Sequence, residues 1–249
     1  MTTPAVSVVV PFHNSGSTIE NCIQGLLAQE GHEAAELIFI DNNSADDSAE
    51  IVRRYPQIRL LAESKPGAYA ARNAGLEEAR APLVALTDAD CVADPDWLRK
   101  LQEGLAKPEN GILIGHCRYP QNASLALKLL GRYENSKAEY VLHHLPASYH
   151  FAYANNMAVR KELFDSLGPF KEWRRAADSE FVHRVAAARP ELRTAFHAPM
   201  RVNHLEFVRG RERAKRMGVY TQTNAQIESF TELNSWQRLI ILARCLRPL

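Results

Sequence analysis

The chain has 249 residues, enough for one large domain or two small ones with a substantial core. Its 30 Lys+Arg against 29 Asp+Glu leave a formal charge of +1, which offers neither a basic footprint for nucleic acid nor an acidic tail. Four scattered cysteines (Cys22, Cys91, Cys117, Cys245) form no Cys-x-x-Cys pair, so reduced thiols fit better than a disulfide framework or a zinc knuckle.

Residues 5–10, Ala-Val-Ser-Val-Val-Val, read as a buried first strand that breaks at Pro11-Phe12-His13-Asn14. Ser17-Thr18-Ile19-Glu20 has capping-box spacing, with Ser17 as N-cap, ahead of a helix carrying Ile19, Cys22, Ile23 and Leu26. A second strand over 36–40 ends in Asp41-Asn42-Asn43-Ser44, and Ser44 with Asp47 repeats the capping spacing before a helix through Ile51 and Val52. A short strand at 58–62, a loop at Lys65-Pro66-Gly67 and an Ala-rich helix over 68–79 follow, the helix holding Arg72 and Asn73. A fourth strand, 82–86, runs into Thr87-Asp88-Ala89-Asp90. Strand and helix alternating four times predict an α/β fold, a parallel sheet with helices on both faces. Right-handed crossovers then bring Pro11, Asp41 and Asp88 to one sheet edge, where ligands bind in such folds.

Farther on, a helix is expected from Asp94-Pro95-Asp96-Trp97, a strand at 112–117, a helix over 124–141, and a short helix over 161–167 closed by Gly168-Pro169. Another helix follows Ala177-Asp178-Ser179-Glu180, and two short strands are expected at 195–197 and 201–204. Arg209, Arg211, Arg213, Lys215 and Arg216 make a basic stretch that suits a solvated helix, closure over a diphosphate, or contact with anionic lipid. Residues 236–249 are apolar with arginines interspersed, which suits a membrane-surface helix, a packing helix or a dimer contact. The first residues carry no basic n-region, and no run reaches the ~18 apolar residues of a membrane span. A cytoplasmic protein is expected, with association at the inner membrane face left open.

Two carboxylates at the end of a buried strand are costly unless something cationic meets them. A divalent metal carrying a phosphate suits Asp88 and Asp90, because Mg²⁺ sits on one or two carboxylates plus substrate phosphate oxygens. A helix cap is the plainer reading of the same pair, as turn chemistry is of Asp41. His143-His144 has no third ligand at useful spacing and reads as surface.

The ordered set Ser7-Val8-Val9-Val10-Pro11-Phe12-His13-Asn14, Ile40-Asp41-Asn42-Asn43-Ser44, Ala71-Arg72-Asn73-Ala74-Gly75 and Thr87-Asp88-Ala89-Asp90 resembles family 2 glycosyltransferases. So do Ala154-Asn155-Asn156-Met157-Ala158 with Gly168-Pro169-Phe170, and Ala177-Asp178-Ser179-Glu180-Phe181. The resemblance implies a GT-A fold: a three-layer α/β sandwich with a mostly parallel sheet, here as one domain with a helical C-terminal tail. Residues 1–117 would form the nucleotide-sugar half, 118–205 the acceptor half, and 206–249 the basic, amphipathic tail. It implies inverting transfer of one sugar from a nucleotide diphosphate sugar, a UDP-sugar being expected, to a glycan, lipid-linked or small-molecule acceptor. Pro11, Phe12, His13 and Asn14 would pass along the nucleotide, and Asp41 would accept from the base. Arg72 would lie near the nucleotide, Asp88 would serve the ribose or sugar, and Asp90 would bind Mn²⁺ or Mg²⁺. His204 stands where many such enzymes place a metal or diphosphate histidine, and Asp178 would be the general base, with Glu180 next in line.

The family's usual Glu-Asp is Ala177-Asp178 here, and its Gly-Gly is Gly168-Pro169. Gln-x-x-Arg-Trp of the processive synthases is absent, so single addition is expected. Asp88-Ala89-Asp90-Cys91-Val92 also matches the Asp-x-Asp-x-Val of haloacid-dehalogenase-type phosphatases, although there it follows the first strand. A nucleotidyltransferase would want a Gly-rich basic loop after strand one, and a dinucleotide dehydrogenase a Gly-x-Gly-x-x-Gly; residues 11–16 offer neither. A nucleotide-sugar-binding protein without catalysis remains the non-enzymatic alternative.

Overall fold

The computed structural model describes residues 3–119, 124–205, 226–227 and 230–245. The first half alternates as expected: β1 (Val6–Phe12), α1 (Ile19–Leu27), β2 (Ala35–Asp41), α2 (Ser48–Arg53), β3 (Ile58–Ala62), α3 (Ala68–Glu78) and β4 (Leu83–Thr87). Then come β5 (Cys91–Ala93), α4 (Trp97–Leu105), β6 (Asn110–Arg118), α5 (Leu125–His144), β7 (Asn156–Arg160), α6 (Lys161–Leu167), α7 (Ala177–Ala188), β8 (Arg193–His204) and α8 (Ser235–Cys245). The described strands form one sheet in the order β3-β2-β1-β4-β7-β6-β8-β5. β1 is parallel to β2 and β4, β2 to β3, and β6 to β8. β7 runs antiparallel to β4 and β6, and β5 antiparallel to β8.

The β-branched run of β1 follows from burial on both sides. Val6, Val8, Val10 and Phe12 enter one apolar layer with Ile19, Cys22 and Trp97, while Val9 enters the other with Ile38, Leu86 and Phe181. Strands covered on both faces read as continuous apolar runs. Parallel pairing aligns Phe12 with Asp41 and Val9 with Leu86, so the polar ends of β1, β2 and β4 reach one edge together.

Several local expectations are corrected. Neither capping box forms: α1 begins at Ile19 after Thr18, and α2 begins at Ser48 after Asp47, both without a side-chain cap. The polar residues instead tie the β1 loop to the β2 loop. Asn14 N–H donates to Ser44 Oγ (3.0 Å), Ala45 N–H to Asn14 Oδ1 (2.8 Å), Ser15 N–H to Ser48 Oγ (2.7 Å) and Gly16 N–H to Asp46 Oδ2 (2.9 Å). Pro95 precedes the residue before α4 rather than opening the helix. The two short strands expected near the end are one, β8, because β6 pairs along it on both sides of an irregularity that skips 198–200. Of the proposed 206–249 tail, residues 206–225, with the stretch Arg209 to Arg216, together with 228–229 and 246–249, fall outside the described residues. Among the described residues, no helix is long and apolar enough to cross a membrane.

Candidate active site

Pro11 and Phe12 are the buried last residues of β1. His13 Nδ1 lies 2.7 Å from the Asn42 carbonyl, and Asn14 adopts a left-handed φ of 51°. Asp41 closes β2, and its Oδ1 accepts from Ser44 N–H at 2.9 Å. Asn42 anchors the next loop: its amide donates to the Glu63 and Lys65 carbonyls, and its Oδ1 accepts from Gly67 N–H at 2.8 Å. The loops of β1, β2 and β3 are thus one bonded rim around the strand ends.

Helix α3 supplies the centre. Gly75 brings it close to the sheet: an added Cβ would stand 2.5 Å from Val9 Cγ1 and 2.7 Å from Ile40 Cδ1. One turn earlier, Arg72 is buried and its Nη2 meets Asp88 Oδ1 at 2.5 Å. Burial works against the guanidinium charge, but Asp88, Tyr69 and Asp178 outweigh it and raise the Arg72 pKa further. Its Nε is buried without a hydrogen-bond partner. The guanidinium also lies 5.2 Å from the Tyr69 ring centre.

Asp178 stands in the first turn of α7, only 6% exposed. Its Oδ2 accepts from Ala154 N–H (3.0 Å) and its Oδ1 from Ser179 N–H (2.9 Å), and the Tyr69 side chain hydrogen-bonds to it. Burial pushes this carboxyl above the usual carboxylate range, against the Tyr69 bond, the charge of Arg72 and the two N–H groups. Three of about four acceptor positions of a carboxylate are filled, which leaves room for one more donor. The residue before the helix, Ala176, holds a left-handed φ of 60°, a conformation costing roughly 1–2 kcal/mol for a residue with a Cβ. Glu180 turns elsewhere, to Arg184 Nη2 at 3.0 Å and Lys171 Nζ at 3.5 Å.

Asp90 has a different partner. His204 Nε2 lies 3.5 Å from its Oδ2, because β5 and β8 pair Cys91 opposite His204. The other ring nitrogen, Nδ1, is buried without a hydrogen-bond partner. Ligand atoms of Asp90, Cys91 and His204 lie within 4.8 Å of one another. Burial, then Asp90 and Asp88, push the Cys91 thiol well up, so it serves as a thiol 3.7 Å from Asp90 Oδ1. Carboxylate and imidazole are the donors that fit a Mg²⁺ or Mn²⁺ ion here. His143 and His144 do not gather a metal: the first bonds the Phe196 carbonyl and the second faces Arg244.

The structure therefore joins Arg72, Asp88 and Asp178, joins Asp90 and His204, and puts His13, Asn14 and Asp41 on the adjoining rim. Tyr69 escaped the sequence reading. A tyrosine among alanines at helical spacing looks like core, and it does pack on Phe170 with ring centres 5.6 Å apart.

This sheet, with an Asp-x-Asp turn at the end of its fourth strand, is the GT-A architecture. The pattern of Glycosyl transferase family 2 matches residues 7–168, and the chain belongs to that family. Glycosyltransferase AglE of Haloferax volcanii is 27% identical over 177 residues, covering 68% of this chain and 57% of that protein. Succinoglycan biosynthesis protein ExoO of Rhizobium meliloti is 39% identical over 103 residues, 40% of this chain and 29% of that protein. The chain thus spans little more than half of AglE and less of ExoO. Among solved structures, mannosyltransferase PcManGT from Pyrobaculum calidifontis, in complex with GDP-Man and Mn²⁺, superposes with a TM-score of 0.71 at 24% identity, over 98% of this chain and 69% of that one. S. aureus TarS 1–349 in complex with UDP gives 0.63 at 18% identity, over 97% and 70%.

Proposed function

We propose that the chain transfers one sugar from a nucleotide diphosphate sugar, with a UDP-sugar as donor, to an acceptor hydroxyl with inversion at the anomeric carbon. The observation that carries this reading is the buried Arg72, which pairs with the half-buried Asp88 and whose charge also acts on an Asp178 that Tyr69 and two backbone N–H groups hold in place. Asp41 accepts from the base, as a carboxylate can from a pyrimidine N–H, while residues 11–14 pass along the nucleotide. Asp88, fixed by Arg72, receives the ribose or sugar. Asp90 and His204 would hold Mn²⁺ or Mg²⁺; when bound, the ion supplies Lewis-acid neutralisation of the leaving diphosphate. Asp178 takes the proton of the acceptor hydroxyl as its oxygen bonds to the anomeric carbon, and the electron pair of the breaking C–O bond leaves with the diphosphate. The acceptor is a glycan, a lipid-linked sugar or a small molecule. A dehalogenase-type phosphatase would need Asp88 as a free nucleophile, and its carboxylate is already committed to a buried arginine.

Calorimetric titration with UDP, GDP and dTDP, with and without Mn²⁺, tests this. UDP should bind, Mn²⁺ should tighten it at least about tenfold, a difference of about 1.4 kcal/mol, and Asp90→Ala should erase that gain. Binding of no diphosphate, or binding indifferent to both metal and Asp90→Ala, would overturn the proposal.

A further inference from the structure

Helix α8 has two apolar sides. One packs on α5: Ile241 and Cys245 are buried, Cys245 Sγ lies 3.7 Å from the Leu129 carbonyl, and the Arg244 guanidinium covers the Tyr140 ring at 5.0 Å. The other side carries Trp236 (71% exposed), Leu239 (56%) and Leu242 (46%). Leu125 (72%) and Leu129 (38%) stand at the start of α5. Among the described residues, every large hydrophobic side chain that is exposed belongs to this one helix pair.

Cations predominate around these five residues, with Glu134 paired to Lys137 and Glu232 four residues before Trp236. Residues 125–132 and 235–245 hold Lys128, Arg132, Arg238 and Arg244 and no acid at all. We infer that the α5–α8 face is a docking surface for an anionic lipid bilayer. Contiguous exposed apolar surface marks an interaction site. A tryptophan and leucines flanked by arginines match the depth profile of a bilayer interface, where indole sits at headgroup level and cations meet lipid phosphates. A second copy fits poorly: a two-fold interface would set the same predominance of cations against itself. At 11 residues α8 spans roughly 16 Å, about half the hydrocarbon thickness, so it lies along the surface. This inference stands apart from the transfer reaction, because none of these residues belongs to the Asp88–Asp178 site.

The test is flotation of the full chain with vesicles of phosphatidylcholine alone and of phosphatidylcholine mixed with phosphatidylglycerol, with UDP binding as the folding control. The chain should float with the anionic vesicles and not with the neutral ones, and added salt should release it. Trp236→Glu with Leu239→Glu should lower partitioning at least about tenfold. Lys128→Gln and Arg238→Gln should each lower it about fivefold on anionic vesicles only. UDP binding should stay unchanged in all of them. Equal partitioning of wild type and Trp236→Glu/Leu239→Glu overturns the inference. So does failure of wild type to float, or a dimer in light scattering that the same double substitution separates.

Discussion

In its proposed role as base, Asp178 is subject to two influences that pull in opposite directions. Burial raises its pKa, which strengthens it as a proton acceptor, while Tyr69, Arg72 and the N–H groups of Ala154 and Ser179 favour the ionised form that can accept at all. Asp178→Asn should keep UDP affinity and lower kcat by about 10²–10⁴, the usual contribution of a positioned acid or base. Undiminished turnover would move the role to another group. Tyr69→Phe removes one donor to the carboxylate and nothing from the rim that faces the nucleotide. Burial is then less opposed, so the acidic limb of the kcat/KM profile should move up by about one pH unit, with kcat down roughly tenfold and donor KM steady. The charged groups in that balance are Arg72 on α3 and Asp88 beyond it; Glu180, on the same helix as Asp178, is paired with Arg184 and Lys171. An unmoved pH profile would show that Tyr69 is packing alone.

At the scale of elements, α3 explains why its sequence is so constrained. Ala71 is fully buried, Arg72 reaches Asp88, Asn73 reaches the far half of the chain, and Gly75 sits against the sheet. Asn73 bonds Phe170 at both backbone groups, donating to its carbonyl at 2.8 Å and accepting from its N–H at 3.0 Å. That clamp fixes the turn after α6 and hence the approach to α7 and Asp178. Asn73→Ala leaves both groups of Phe170 without this partner, a loss of about 2 kcal/mol. In a chain of this length that is a fall in Tm of about 4–8 °C. Transfer kcat should drop more than UDP affinity, because the clamp acts on Asp178, the proposed base, and not on the rim; equal losses in both would refute that division. Gly75→Ala acts on the other side. Val9 and Ile40 are fully buried and cannot yield, so the helix must lift, at about 1–3 kcal/mol, and UDP binding should weaken as Arg72 leaves Asp88.

For the whole molecule, the sequence was most readable where a rule of burial governs a run of residues. β1, β2 and β4 are covered on both faces, so their apolar runs and polar stops showed both the strands and the edge where Asp41 and Asp88 meet. It was least readable where long-range bonds displace local ones. Ser17, Ser44 and Asp47 have ideal spacing for caps, yet the loops around them spend their polar groups on each other across about thirty residues. Tyr69 failed for the same reason, since its partner lies more than a hundred positions away. A similar long-range effect governs the pH dependence. Burial lowers the pKa values of His116, His150, His183 and His197, with His116 down to about 4. Arg118 and Arg201 add to the shift at His116. In the unfolded chain these rings take protons near pH 6.5, so between about pH 6.5 and 4 the unfolded state binds protons that the folded state refuses. Stability contributed by the neutral rings is therefore complete above that window and is lost as the pH falls through it, on the order of 2 kcal/mol for His116 alone after allowance for its partial exposure. Asp178 has the opposite sign, because its raised pKa lets the folded chain hold a proton that the unfolded chain has released. One group of that sign against four histidines leaves acid as the destabilising direction. Urea unfolding followed from about pH 7.5 to 4.5 should show the midpoint falling steadily, and His116→Gln should flatten the curve. A midpoint that holds or rises on acidification would mean that the histidines are protonated in the fold, against the burial that surrounds them.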